Sequence, residues 1–167
     1  MEHSKKIKTS SAIVIIILVL ISGYFLLGKD RSLIDTNQSK PVGNQNPMRV
    51  VAESTPAVNG VLSVPKGFPQ DIPMEKGGIL ESAISNYPDQ NARQLSVSYI
   101  SSKTVTQKYA EYKNYMVSSG YEIKEGGSVS SSVRAIFGTK SDVNFSVAIS
   151  SSGGSTLVQL SYLLKSL

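Results

Sequence analysis

Between Lys8 and Lys29 the chain runs for twenty residues without a charged side chain, and from Ala12 to Leu27 nearly all are Ile, Leu, Val or Phe. At about 1.5 Å per residue, twenty helical residues reach about 30 Å, the thickness of a bilayer's hydrocarbon core, and a helix satisfies its own backbone polar groups where no water can. Residues 9–28 are therefore expected to be a transmembrane helix held by the lipid bilayer. Lys5, Lys6 and Lys8 before it outweigh Lys29 and Arg31 around Asp30, which puts the N-terminus in the cytoplasm and the C-terminal domain outside it. A cleaved secretory signal would share the basic start but have a shorter apolar centre and small residues at the cut. Ser22-Gly23 is the only small pair near the end of this run, and no Cys follows for lipid attachment. The segment is expected to stay as the signal anchor of a single-pass cell-membrane protein, with residues 1–8 a cytoplasmic tail.

The net charge of +5 has to be read by its position. Residues 61–167 hold ten Lys/Arg against eight Asp/Glu, with no run that would gather basic groups on one face. Phosphate backbones need such a face, so no nucleic-acid partner is expected. With no Cys anywhere and one histidine, His3, on the expected cytoplasmic side, disulfides, thiolate nucleophiles, Cys- or His-ligated metals and Ser-His-Asp catalysis are excluded from the exported part. No metal or cofactor is expected.

Residues 29–60 are rich in Asn, Gln, Ser, Pro and Gly without sustained apolar periodicity and read as a flexible linker. Residues 61–167 then suffice for one small α+β domain. Pro65, Pro69 and Pro73, every fourth residue, impose an extended lead-in that Phe68, Ile72 and Met74 would pin to the domain. Strands are expected at 78–84 and 94–101, the second alternating Leu95, Val97 and Tyr99 against serines.

Thr104 to Ser119 reads as a helix with a Thr104/Gln107 capping box and a Gly120 stop. Its core stripe would be Val105, Tyr109, Tyr112 and Met116. Strands follow at 121–125, 133–139, 143–150 and 156–164, with Val133, Ala135 and Phe137 read as the apolar side of the second. The expected order is β-β-α-β-β-β-β, a small antiparallel sheet with the helix packed on one face.

Phe68, Pro69, Asp71, Ile72 and Pro73, then Tyr109 and Tyr112, then Gly120 carry a resemblance. The chain resembles uncharacterised small prokaryotic membrane-anchored exported proteins that place an F-P-x-D-I-P lead-in before a one-helix α+β domain. The resemblance implies the architecture and no activity.

Ser63 and Lys66 match the S-x-x-K spacing of penicillin-recognising enzymes. That chemistry needs the two residues one helical turn apart, and Pro65 forbids it. A pair among Asp71, Glu75, Glu81, Asp89, Glu111, Glu122, Glu125 and Asp142 would be needed for carboxylate-dependent hydrolysis of glycans. Tyrosine, by contrast, suits recognition, since it offers a rigid ring with a polar tip. Tyr87 and Tyr115 are the two expected to be exposed and to bind, while Tyr99, Tyr109, Tyr112 and Tyr162 are expected to fill core edges. The polar strand positions Ser96, Ser98, Asn144, Ser146 and Ser161 are read either as a second surface for a strand or polysaccharide or as a merely solvated face. The leading expectation is a non-catalytic binding or assembly module displayed at the cell envelope, with an envelope protein or glycan as partner. The alternative is a small carboxylate-dependent envelope hydrolase acting on glycan or cell-wall material.

Overall fold

Among the described residues, alternation of apolar and small polar residues builds a sheet, and one α-helix is laid upon it. The computed structural model describes residues 49–58, 60–75, 78–128 and 132–165. In it β1 (Val51–Ser54), β2 (Ile79–Tyr87) and β3 (Ala92–Ser101) precede α1 (Val105–Ser118). Then come β4 (Glu122–Gly126), β5 (Val133–Lys140), β6 (Val143–Ser152) and β7 (Ser155–Lys165). The sheet order is β1-β2-β3-β7-β6-β5-β4, with every neighbouring pair antiparallel. Two meanders thus meet where β3 pairs with β7, and α1 carries the chain from the middle of the sheet to its far edge. Residues Asn46–Leu167 form one compact unit.

The register explains the core. Leu95, Val97 and Tyr99 on β3 stand opposite Tyr162, Leu160 and Val158 on β7, which in turn face Phe145, Val147 and Ile149 on β6. All of these are buried except Tyr162, which is half-buried. Helix α1 packs across β4, β5 and β6 through Tyr109, Tyr112 and Met116. The lead-in joins the same core through Phe68 and Ile72, each 4% exposed.

Helix α1 forms where it does because both ends are capped. Thr104 Oγ1 accepts from the Gln107 amide while the Gln107 side chain accepts from the Thr104 N–H. At the other end Gly120, at φ +78°, lets the Tyr121 N–H reach the Met116 carbonyl at 2.9 Å and the Gly120 N–H reach that of Val117 at 3.0 Å. These two bonds are the Schellman pattern, and they turn the chain directly into β4.

The expected architecture is corrected on two counts. The sheet has seven strands, because Val51–Ser54, inside the stretch read as linker, pairs with β2 from Val51 opposite Asn86 to Ser54 opposite Ala83. Four exposed edge residues carry no hydrophobic alternation, so only the partner strand makes them β. In addition, among the described residues no helix is long and apolar enough to cross a membrane, and the segment 9–28 read as such a helix lies outside them.

A third difference concerns β5. Ile136 faces Val147 and Arg134 faces Ile149, so Arg134, Ile136 and Gly138 point into the core while Val133 is 51% exposed. A one-residue choice of register inverts both faces of a strand, and pairing with β6 makes that choice.

Candidate functional site

Two clusters of polar side chains form where the lead-in meets the helix. At the N-terminal end of α1, Glu75 and Glu111 converge on Lys108, at 3.9 and 3.1 Å from its ammonium group. Lys108 is fully buried and stacks over the rings of Tyr112 at 4.8 Å and Tyr99 at 5.4 Å, whose hydroxyls share a 2.7 Å hydrogen bond. Glu75 also accepts from the Ser101 hydroxyl and from the backbone and hydroxyl of Ser102 at 2.9 and 3.0 Å, and Glu111 accepts from Lys103 at 2.8 Å.

Burial pushes the Glu75 carboxyl up, but the Ser101 and Ser102 hydrogen bonds and the Lys108 charge together hold it below the usual carboxylate range. Burial acts on Glu111 in the same sense, and its bonds and charge contacts with Lys103 and Lys108 likewise hold it low. Both are therefore anionic at neutral pH. Acid–base cleavage of a glycosidic bond needs one carboxyl kept protonated, and neither member of this pair has an environment that does so. Glu125 is likewise held low, by Lys113 at 2.6 Å and by the Tyr109 hydroxyl.

The second cluster lies at the C-terminal end of α1. The Tyr115 hydroxyl donates to Asp71 Oδ2 at 2.9 Å. Tyr115 and Tyr121 meet at 40° with centroids 6.5 Å apart, and both rest on Phe145 at 6.2 Å. Phe145 in turn contacts Tyr162 at 6.1 Å, and Tyr162 contacts Phe68 at 6.3 Å. Lys140 stands 5.8 Å from the centre of the Tyr121 ring while donating to the Ser119 carbonyl at 2.7 Å. Burial, then the Asp71 carboxylate, push the Tyr115 phenol up to about 12. Burial and its tyrosine neighbours, with Asp71, raise that of Tyr121 as well.

Both clusters are the work of the lead-in. Phe68 and Ile72 anchor it, Asp71 reaches Tyr115 from between them, and Glu75 closes over Lys108. The F-P-x-D-I-P residues thus have a structural account in this chain: two apolar pins and one carboxylate clasp, on backbone that proline keeps extended.

Of the two tyrosines expected to be exposed, Tyr115 is half-exposed and lies at the centre of the second cluster. Tyr87 does not offer a surface, being only 3% exposed. Its position opposite Ala92 at the hairpin end turns the ring inward, and its hydroxyl donates to Gln94 Oε1 at 2.8 Å. Ser98 and Ser161, on the strand face away from α1, are buried as well. Ser63 and Lys66 lie exposed on non-helical backbone, so the S-x-x-K spacing brings nothing together. Among the described residues no three His, Cys, Asp or Glu side chains gather closely enough to hold a metal ion.

Sequence reasoning missed Lys108 and the joining of Tyr115 to Tyr121 and Tyr162. Lys108 was legible in principle, since it lies three and four residues from Val105 and Tyr112 on the apolar stripe. No protein-family model matches the chain, and neither a curated protein nor a solved structure does.

Proposed function

We propose that this protein is a non-catalytic binding or assembly module of the cell envelope, and that its recognition surface is the cluster of Tyr115, Tyr121, Tyr162 and Asp71. The observation that carries this reading is the half-exposed tyrosine group seated on buried Phe145. Rings fixed by a core lose little entropy on binding, and their hydroxyls remain at the rim. The carboxylate pair at Lys108 works as a clasp for the lead-in, not as an acid and a base. Placement at a membrane is supported by the twenty uncharged residues 9–28.

The test is affinity capture from envelope extracts with the full chain and with its Tyr115→Ala and Tyr121→Ala variants, each checked for native circular dichroism. A protein or glycan retained by the parent and lost by the variants supports the reading. Identical capture by all three chains, or turnover of cell-wall glycan abolished by Glu75→Gln or Glu111→Gln, overturns it. Membrane placement is checked separately: alkaline carbonate is expected to leave the full chain in the pellet, and release would refute it.

A further inference from the structure

We infer that the ligand of the tyrosine cluster is a neutral saccharide, an inference that rests on reading the cluster as a recognition surface. Charge supplies the first argument. Asp71 and Lys140 border Tyr121 with opposite signs, Asp71 through the Tyr115 hydroxyl and by its charge on Tyr121, Lys140 at 5.8 Å from the ring. A polyanion would meet the Asp71 carboxylate and a polycation the Lys140 ammonium, so neither gains a net attraction from this pair.

Hydrogen-bonding capacity supplies the second. The Asp71 carboxylate has acceptor sites beyond the one used by Tyr115, and the Lys140 ammonium has donors beyond the one given to Ser119. The phenols of Tyr121 and Tyr162 both donate and accept. Sugar hydroxyls are donors and acceptors at once, and this rim answers them with both kinds of group and no excess charge. Shape supplies the third. The partly exposed Tyr115 and Tyr121 rings are inclined at 40° with centroids 6.5 Å apart, each braced by Phe145. The C–H faces of pyranose rings are the apolar part of a saccharide, and two braced rings can take two successive units.

The experiment titrates the full chain with four probes: the N-acetylglucosamine tetramer, cellotetraose, a heparin-derived tetrasaccharide and spermine. The chain has eight tyrosines and no tryptophan, so its intrinsic fluorescence is tyrosine fluorescence; the part that comes from the cluster is the change lost in the Tyr115→Ala and Tyr121→Ala variants, and calorimetry is the second readout. Saturable binding of at least one neutral tetrasaccharide is expected, changing less than about twofold between low and high salt because no counterions are released.

Asp71→Ala and Lys140→Gln are each expected to weaken it about tenfold, the usual loss for a charge-assisted hydrogen bond, while Lys66→Gln leaves it unchanged. Binding of the heparin fragment or spermine alone overturns the inference, as does neutral-sugar binding indifferent to Asp71 and Lys140. If no tetrasaccharide binds but a protein is captured through Tyr115, the saccharide inference fails and the recognition surface stands. If neither occurs, both fail.

Discussion

Replacing Lys108 by alanine is expected to cost about 3 kcal/mol, and replacing it by methionine about 1 kcal/mol or less. The side chain is fully buried, so alanine deletes three buried methylenes at about 0.8 kcal/mol each and leaves a cavity between the Tyr99 and Tyr112 rings. The charge interactions nearly cancel. Two ring contacts contribute about 0.5–1 kcal/mol each and the ion pairs to partly exposed Glu75 and Glu111 about 1 kcal/mol. Desolvation of the ammonium opposes them by several kcal/mol. Methionine keeps most of the buried stem while removing both the attraction and its opposing penalty. Thermal unfolding followed by far-ultraviolet circular dichroism would read this as a drop of roughly 12 °C for alanine and under about 4 °C for methionine, at about 4 °C per kcal/mol. A methionine variant as unstable as the alanine variant would refute the reasoning, because the charge rather than the packed stem would then hold the helix.

Because Glu75, Glu111 and Glu125 all have folded-state values below their unfolded ones, their stabilisation is present above the unfolded value of 4.5 and is lost as pH falls through the folded values. Urea midpoints should therefore fall below about pH 4.5, and Glu75→Gln should flatten the fall. At the alkaline end Tyr99, Tyr112, Tyr115 and Tyr121 are all raised, chiefly by burial, so their stabilisation is complete below pH 10 and is lost as pH rises through the folded values. Tyrosinate absorbance at about 295 nm should show Tyr115 titrating near 12 and the other three only as the fold opens. Thr104→Ala removes the capping box and should cost about 1 kcal/mol by chemical denaturation, with Thr104→Ser recovering most of it. Gly127→Ala should cost at least about 2 kcal/mol, because φ is +85° and a Cβ would lie 2.6 Å from the Val133 carbonyl oxygen. Gly153→Ala, with nothing within 4 Å, should cost only the strain of its positive φ, and equal losses at the two positions would refute the close-approach account.

Elements whose signal is local could be read from the chain. The capped helix is one, since Thr104, Gln107 and Gly120 act within a turn of the ends they close. Strands β3 and β6 are others, because Leu95, Val97 and Tyr99, and Phe145, Val147 and Ile149, repeat with the pleat. The candidate site was legible in part. Tyr115 stood off the core stripe of α1, but its partner Asp71 lies 44 residues earlier and no local pattern joins them. Tyr87, between the turn formers Asn86 and Pro88, read as exposed because burial there depends on β3 and not on its neighbours in the chain.

The sequence by itself determined periodicity, caps and extended proline backbone, all of which depend on residue type and on neighbours within a few positions. Tertiary structure alone decided that Val51–Ser54 is a strand, that β5 turns Arg134, Ile136 and Gly138 inward, and that a buried lysine holds two carboxylates. It also decided that Asp71, Tyr115, Tyr121 and Tyr162 share one surface. The physical reason is the same in each case. Backbone pairing and burial are supplied by residues distant in the chain, and a strand's outward or inward face, like a side chain's charge environment, is set by whichever partner arrives.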